Sequence, residues 1–315
     1  MAVEQGENLA SELIRSFLTL EKIDVNIFRA SPVNLWKPTA GRSVFGGQVV
    51  GQALVAASKT VNEDHHAHSL HCYFLRAGNP NRPILYHVDR TRDGRTYSSR
   101  NIKATQEGVA IFTMQASYKT DEEDAFQHQF TMPSVPGPEE LKDSDDFLRS
   151  QLNEDMNDNR RTLILKILED KIHVEKRPVN PEVYHHKEKG EPKRFVWVRA
   201  IGEMGEFDVQ VRSIGNDLKL HQCVAGFISD LALLGAAIQP GSNSYTPTYM
   251  ASLDHSMWFH NPFKANEWML FEVESPQCGA GKALSLGRLW RQDGTLAVSL
   301  AQEGVVRTQQ IDSKM

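Results

Sequence analysis

Gln106-Glu107-Gly108-Val109-Ala110-Ile111-Phe112-Thr113-Met114-Gln115-Ala116 returns in edited form as Gln292-Asp293-Gly294-Thr295-Leu296-Ala297-Val298-Ser299-Leu300-Ala301-Gln302. Gly108 to Gly294 and Ala116 to Gln302 are the same interval, 294 − 108 = 302 − 116 = 186. In both copies a glycine turn leads into apolar residues at every second position, the pattern of a strand with one face in a core. Ala110, Phe112, Met114 and Ala116 fill that face in the first copy; Leu296, Val298, Leu300 and then Gln302 fill it in the second. An amide facing a core costs free energy unless it is hydrogen bonded, so Gln302 is a candidate functional residue.

The duplication extends outward from these strands. The first copy reads as a short amphipathic helix through Leu18, Leu20 and Ile23 and a strand at 26–30. A helix beginning at Val44-Phe45-Gly46-Gly47-Gln48 and reaching Val61 follows, then strands at 68–75, 83–90, 95–105 and 109–118, with hairpin turns at Arg92-Asp93-Gly94 and Gln106-Glu107-Gly108. Val49, Val50, Ala53, Leu54, Ala56 and Ala57 leave the helix almost no polar face, so it is expected to be buried on all sides. The second copy reads as strands at 172–179 and 194–201, an apolar helix at 223–238, and strands from Met250, Glu267, Ala283 and Thr295. No helices separate the later strands, which favours an antiparallel over a parallel sheet and predicts an α+β fold: an antiparallel sheet wrapped around a buried helix, twice over, the two sheets joined edge to edge. The expected divisions are a first repeat at 1–120, an acidic linker at 121–171 containing a helix over 139–152, and a second repeat at 172–315. The segment 185–193 reads as a surface loop, and its paired histidines are assigned no function.

At 315 residues the chain has room for two cores. With 35 Lys and Arg against 40 Asp and Glu, a net charge of −5, it has no basic field for a nucleic-acid backbone, so no nucleic-acid partner is expected. Cys72, Cys223 and Cys278 are widely spaced and odd in number, which argues for a reducing compartment and against a disulfide framework or zinc cluster. The amino terminus is polar and acidic, and no apolar run approaches the roughly 20 residues of a bilayer span, so a soluble, unsecreted protein with no membrane span is expected. The tail Ser313-Lys314-Met315 differs by one apolar residue from the Ser-Lys-Leu address read by the peroxisomal import receptor.

Two further edits accompany Gln302. Aligning Leu54-Val55-Ala56-Ala57 on Leu234-Gly235-Ala236-Ala237, 234 − 54 = 180, sets Asp230 opposite Val50, so an ionisable residue enters the second apolar helix. Such a carboxylate either has a partner or a task, or is a capping or exposed Asp near the start of the helix. Aligning Phe74-Leu75-Arg76 on Trp258-Phe259-His260, 260 − 76 = 184, sets Ser252 opposite His68. A carboxylate, a hydroxyl and an amide converging in an apolar pocket can hold a water, with Asp230 taking its proton while Ser252 and Gln302 orient it. So mild a site suits a thioester, whose leaving thiol has a pKa of about 8.5 and departs without strong acid assistance. The start of a buried helix would supply amide donors for the oxyanion. No Gly-x-Ser-x-Gly elbow, Walker loop or His-Glu-x-x-His motif is present, and no metal is called for. Gly47 and Gly51 form a Gly-x-x-x-Gly that close helix packing explains.

At these residues the sequence resembles the acyl-coenzyme A thioesterase II family, the TesB-like double hotdog enzymes, and most closely their peroxisomal animal members. The resemblance rests on Phe45-Gly46-Gly47-Gln48-Val49-Val50-Gly51-Gln52-Ala53-Leu54, His68-Ser69-Leu70-His71-Cys72-Tyr73-Phe74 and Leu253-Asp254-His255-Ser256-Met257-Trp258-Phe259-His260. It continues through Arg291-Gln292-Asp293-Gly294 and Ala301-Gln302-Glu303-Gly304-Val305, and covers about residues 18–307. It implies a double hotdog fold and hydrolysis of acyl-CoA to fatty acid and CoA, without cofactor, CoA being part of the substrate. It implies catalytic roles for Asp230, Ser252 and Gln302. His68, Gly46 and Gly47 are the candidate substrate-binding positions. The same resemblance makes the peroxisome matrix the expected location, the cytoplasm being the alternative. Exposed sheet faces would allow a homo-oligomer. The rival readings are a hotdog hydratase, which would accumulate hydroxyacyl-CoA, and a non-catalytic acyl-CoA sensor, which would bind without turnover.

Overall fold

The computed structural model describes residues 13–39, 41–123, 125–153, 156–202, 204 and 218–311. Strands β1 (Glu21–Asp24) and β2 (Ile27–Ala30) precede helix α1 (Gly46–Ser58), which is buried from Gly47 to Ser58 as its lack of a polar face requires. Strands β3 (His66–Phe74), β4 (Ile84–Asp93), β5 (Tyr97–Gln106) and β6 (Val109–Lys119) follow. The linker holds α2 (Ser144–Gln151) and α3 (Asp158–Glu169). The second repeat runs β7 (Val174–Pro178), α4 (Pro181–Tyr184), β8 (Lys193–Ala200), α5 (Leu218–Ser229), α6 (Gly235–Ile238), β9 (Tyr245–Ser252), β10 (Asp254–Phe259), β11 (Met269–Gly279), β12 (Lys282–Arg291) and β13 (Leu296–Gln310).

All these strands form one antiparallel sheet in the order β1-β2-β4-β5-β6-β3-β10-β13-β12-β11-β8-β7, with β9 paired to the far end of β13. The order reads as six strands and their six counterparts about a central seam between β3 and β10, where Asp254 to Trp258 face Tyr73 to Ser69. This is the double hotdog expected from the resemblance: the sheet wraps the two buried helices, and one continuous apolar core includes residues of both repeats. The helices touch at their glycines. A side-chain carbon on Gly51 would lie 3.0 Å from the Cys223 carbonyl oxygen, so only a residue without one permits this approach.

Three local expectations are corrected, and one helix is new. The amphipathic helix through Leu18, Leu20 and Ile23 is a short π-helical turn, Ile14–Leu18; Ile23 lies exposed in β1, because pairing with β2 and the Arg29–Glu21 ion pair hold that segment extended. The linker helix expected over 139–152 starts at Ser144, where the Asp143 carboxylate accepts the Asp145 and Asp146 amides as an N-cap. Helix α3 was not anticipated; it packs on α2 through Phe147, Leu148 and Ile164. The segment 185–193 is a surface loop as expected, exposed at Lys187, Glu188 and Lys189 and anchored through its histidines. His185 stacks on Phe147 at 5.5 Å and lies 3.0 Å from Ser144 Oγ, and burial pushes its imidazole down to about 3, so it is neutral. The second apolar helix is broken: α5 stops at Ser229, residues 230–234 turn, and α6 is a single further turn. Ser229 Oγ bonds the Gly226 carbonyl in the last turn of α5, the local competition with helix bonding that favours such an end.

Candidate active site

Asp230 is the first residue past α5, Ser252 the last of β9, and Gln302 an inward residue of β13. The structure brings the three together. Gln302 Nε2 donates to Asp230 Oδ1 at 2.7 Å and to Ser252 Oγ at 2.6 Å, and Ser252 Oγ donates to Asp230 Oδ1 at 3.3 Å. The break after α5 is what allows this. In a continuing helix the residue would be one more rung of an apolar cylinder; at the end of one it can turn its carboxylate toward β13 and β9.

The fourth contact comes from the other repeat. Gly47 N donates to Asp230 Oδ2 at 2.9 Å, so the start of α1 meets the end of α5 at the carboxylate. Helix α1 begins Phe45-Gly46-Gly47, and its N-cap Phe45 has no side-chain acceptor, so Asp230 serves as the cap from across the molecule. Gly46 and Gly47 are small for the same reason. A side-chain carbon on Gly46 would stand 2.7 Å from Asp230 Oδ2 and 3.1 Å from Phe74, and one on Gly47 would collide with the Phe227 carbonyl.

Opposed forces act on this carboxylate. Burial raises its pKa to about 6, while hydrogen bonds from Gln302, Gly47 and Ser252, favouring the charged form, hold it from rising further. The positive end of α1 acts in the same direction as those bonds. The group is therefore ionised at neutral pH yet basic enough to accept a proton. An ionised carboxylate has about four acceptor sites, and three are occupied here, leaving one.

His68 is not part of this constellation. Its Nε2 lies 2.8 Å from Ser117 Oγ and its ring meets Tyr97 edge-on, at the start of β3; Phe74, which borders the site, is at the other end of that strand, roughly 20 Å away at about 3.3 Å per residue. Its pairing with Ser252 is also one residue out. A bulge at His68 shifts the β3–β6 register between Ala67 and Ser69, and the corresponding shift in the second repeat falls at Leu253. Ala67 faces Tyr118 and Ser252 faces Gly304, so with 304 − 118 = 186 and 252 − 67 = 185 the counterpart of Ser252 is Ala67. The Asp230 and Val50 pairing fails as well, since Val50 lies inside α1 whereas Asp230 stands beyond the end of α5.

The counterpart position in the first repeat is closed. Gln222 of α5 clamps the Ala67 backbone, its Nε2 donating to the Ala67 carbonyl at 2.7 Å and its Oε1 accepting the Ala67 amide at 3.1 Å. A groove of about 1090 Å³ lies outside this clamp, lined by His66, His68, Phe130 and Arg288 among others, and it does not reach Asp230. The role of Gly47 as a ligand of the carboxylate was not foreseen, although a buried helix opening without a Ser, Thr, Asp or Asn cap signals an acceptor supplied from elsewhere. Ser229 and His255 form a second polar pair nearby, 2.9 Å apart, both fully buried. Among the described residues no group of three His, Cys, Asp or Glu side chains is placed to hold a metal ion. Ser313, Lys314 and Met315 lie outside the described residues.

The Acyl-CoA thioesterase family matches residues 168–305 and the Acyl-CoA thioesterase N-terminal domain matches residues 33–119. Acyl-coenzyme A thioesterase 8 of Rattus norvegicus is 48% identical over 302 residues, covering 96% of this chain and 91% of that protein. Peroxisomal acyl-coenzyme A thioester hydrolase 1 of Saccharomyces cerevisiae is 26% identical over 307 residues, covering 85% and 87%. The crystal structure of acyl-CoA thioesterase II TesB2 from Mycobacterium marinum, 32% identical, superimposes with a TM-score of 0.67 over 96% of this chain and 99% of that one. With both halves matched and nearly half of all residues shared with a full-length relative, the chain belongs to the acyl-CoA thioesterase family and is a thioester hydrolase acting on acyl-CoA.

Proposed function

We propose that hydrolysis proceeds by direct attack of a water bound to Asp230 and Ser252, both of which Gln302 holds in place, without an acyl-enzyme. The observation that carries this reading is the closed network Gln302 to Ser252 to Asp230, with one carboxylate site still open for a water hydrogen. The water's other hydrogen goes to the remaining lone pair of Ser252 Oγ. As the water oxygen bonds to the thioester carbon, its proton passes to Asp230; the tetrahedral intermediate then collapses, the C–S bond breaks, and the departing sulfur recovers that proton as CoA thiol. Ordering the water in advance removes entropy from the barrier, and the low-pKa thiol needs little further help.

The adjacent Ser229 does not serve as a nucleophile: it has no exposed surface, and its oxygen is bonded to the Gly226 carbonyl. Asp230→Asn keeps the volume and removes the base. Purified Asp230→Asn should release thiol from acyl-CoA at less than about one hundredth of the wild-type rate, on the scale general-base catalysis contributes. Mass spectrometry during turnover should find no acylated protein. Near-normal thiol release by that variant, or an acyl adduct on Ser229, would refute the reading.

A peroxisomal location is the finer reading, supported by the named location of the yeast relative and by the tail motif Ser313-Lys314-Met315, which would engage the import receptor. Fractionation of cells expressing the full chain tests it; recovery in the cytosol alone would rule it out.

A further inference from the structure

Two polar atoms at the heart of the site have no hydrogen-bond partner among the described residues. Gln302 spends both amide hydrogens on Asp230 and Ser252, and its Oε1 is buried with no hydrogen-bond partner among the described residues. Ser285 on β12 is fully buried too, and its Oγ is likewise unpaired. These residues face each other: Ser285 and Gln302 are register partners, both pointing into the core. Side chains directly opposite on one face of an antiparallel pair have Cβ atoms about 4.5–5.5 Å apart, which places the serine hydroxyl, able to turn about χ1, beside the glutamine side chain.

The first repeat shows what this position does when no site is present. Ser285 corresponds to Arg100, which faces Ala116 as Ser285 faces Gln302, with 285 − 100 = 185 and 302 − 116 = 186. Arg100 reaches over the small Ala116 to the end of α1, its Nε donating to Thr60 Oγ1 at 2.8 Å and its Nη2 to the Thr60 carbonyl at 2.7 Å, and it pairs with Asp93. The two positions have changed together. Where the large arginine sits over an alanine in one copy, a serine sits beside a glutamine in the other.

We infer that Ser285 is a positioning residue for hydrolysis: its hydroxyl donates to Gln302 Oε1 and so keeps Nε2 turned toward Asp230 and Ser252. An amide has two faces that differ only in which end donates. Two acceptors at one end set the direction, and a donor at the other prevents the side chain from swinging away. The inference rests on the catalytic reading of Asp230 and Gln302 given above.

Ser285→Ala leaves the same room for Gln302 and deletes only the hydroxyl, which separates positioning from mere smallness. Purified Ser285→Ala should lose about tenfold in kcat, the effect of one hydrogen bond in the transition state, with KM within twofold and the thermal midpoint retained. Its acid limb should move to higher pH, because a loosened Gln302 no longer favours the ionised form of Asp230. Ser285→Thr, which keeps the hydroxyl, should restore kcat. Wild-type kcat and acid limb in Ser285→Ala would overturn the inference, and so would a fall in kcat with the limb unmoved or with no rescue by threonine. Asp230→Asn measured in parallel separates the two levels: if it is inactive while Ser285→Ala is normal, only the role of Ser285 fails; if it is active, the site assignment itself fails.

Discussion

A single carboxylate sets both the chemistry and a cost to the fold. With Asp230 raised to about 6, kcat/KM should rise across that pH and reach half its plateau there, read from thiol release between pH 5 and 8. The effect on stability has the opposite sign. Because burial raises the folded pKa above the ordinary 3.8, the ionised form costs stability above about pH 6, and the cost disappears as pH falls toward 4. Asp230→Asn should therefore melt no lower than wild type at pH 7.5 and lose any advantage near pH 4; a large drop in its melting point at pH 7.5 would contradict this account. Gln302 and Asp230 were legible in the sequence because a polar side chain stood in an otherwise apolar pattern. Ser252 was legible too, but its partner in the other repeat was misassigned, since Phe74 was aligned on Trp258 whereas the strand registers make Phe259 its counterpart, Phe74 facing Phe112 and Phe259 facing Val298, with 298 − 112 = 186.

Among the elements, the pair α1 and α5 bears the site. Each was legible as an apolar helix, whereas the break at Asp230 was not, because the apolar residues continue through Leu231, Leu233 and Leu234 without a proline to mark the end. The strands were legible almost throughout, since alternation identifies them regardless of their partners. Strand β1 was the exception, being exposed on all four residues and ordered by β2 alone. Gly47→Ala tests the helix contact directly. The added methyl meets the Phe227 carbonyl and lies 3.0 Å from Asp230 Cβ, so α1 and α5 must separate or strain, an overpacking that costs typically 1–3 kcal/mol. The expected result is a lower melting point together with a loss of kcat beyond tenfold, whereas Gly137→Ala, in the linker, should leave both unchanged. Unaltered turnover in Gly47→Ala would mean that the amide of α1 does not hold the base.

For the molecule as a whole, the decisive fact is that one repeat supplies the carboxylate, the hydroxyl and the amide side chain while the other supplies the backbone donor. The repeats also share the β3–β10 seam and one apolar core. Two chains divided within the linker should each be inactive alone and regain thioester hydrolysis when co-expressed; activity in the carboxy-terminal piece alone would show that α1 is dispensable. The joining of both sheets was foreseen from the duplication, but the crossing of the site from one repeat to the other was not, because nothing in a strand pattern says which helix end meets which.

Gly47 and Asp230, 183 residues apart, belong to the same polypeptide, so their encounter is intramolecular and its effective concentration is set by the fold. An enzyme assembled from two separate hotdog chains would fall apart at low concentration and lose turnover with it. This one carries its second half along, and each molecule should work as fast in a very dilute solution as in a crowded one.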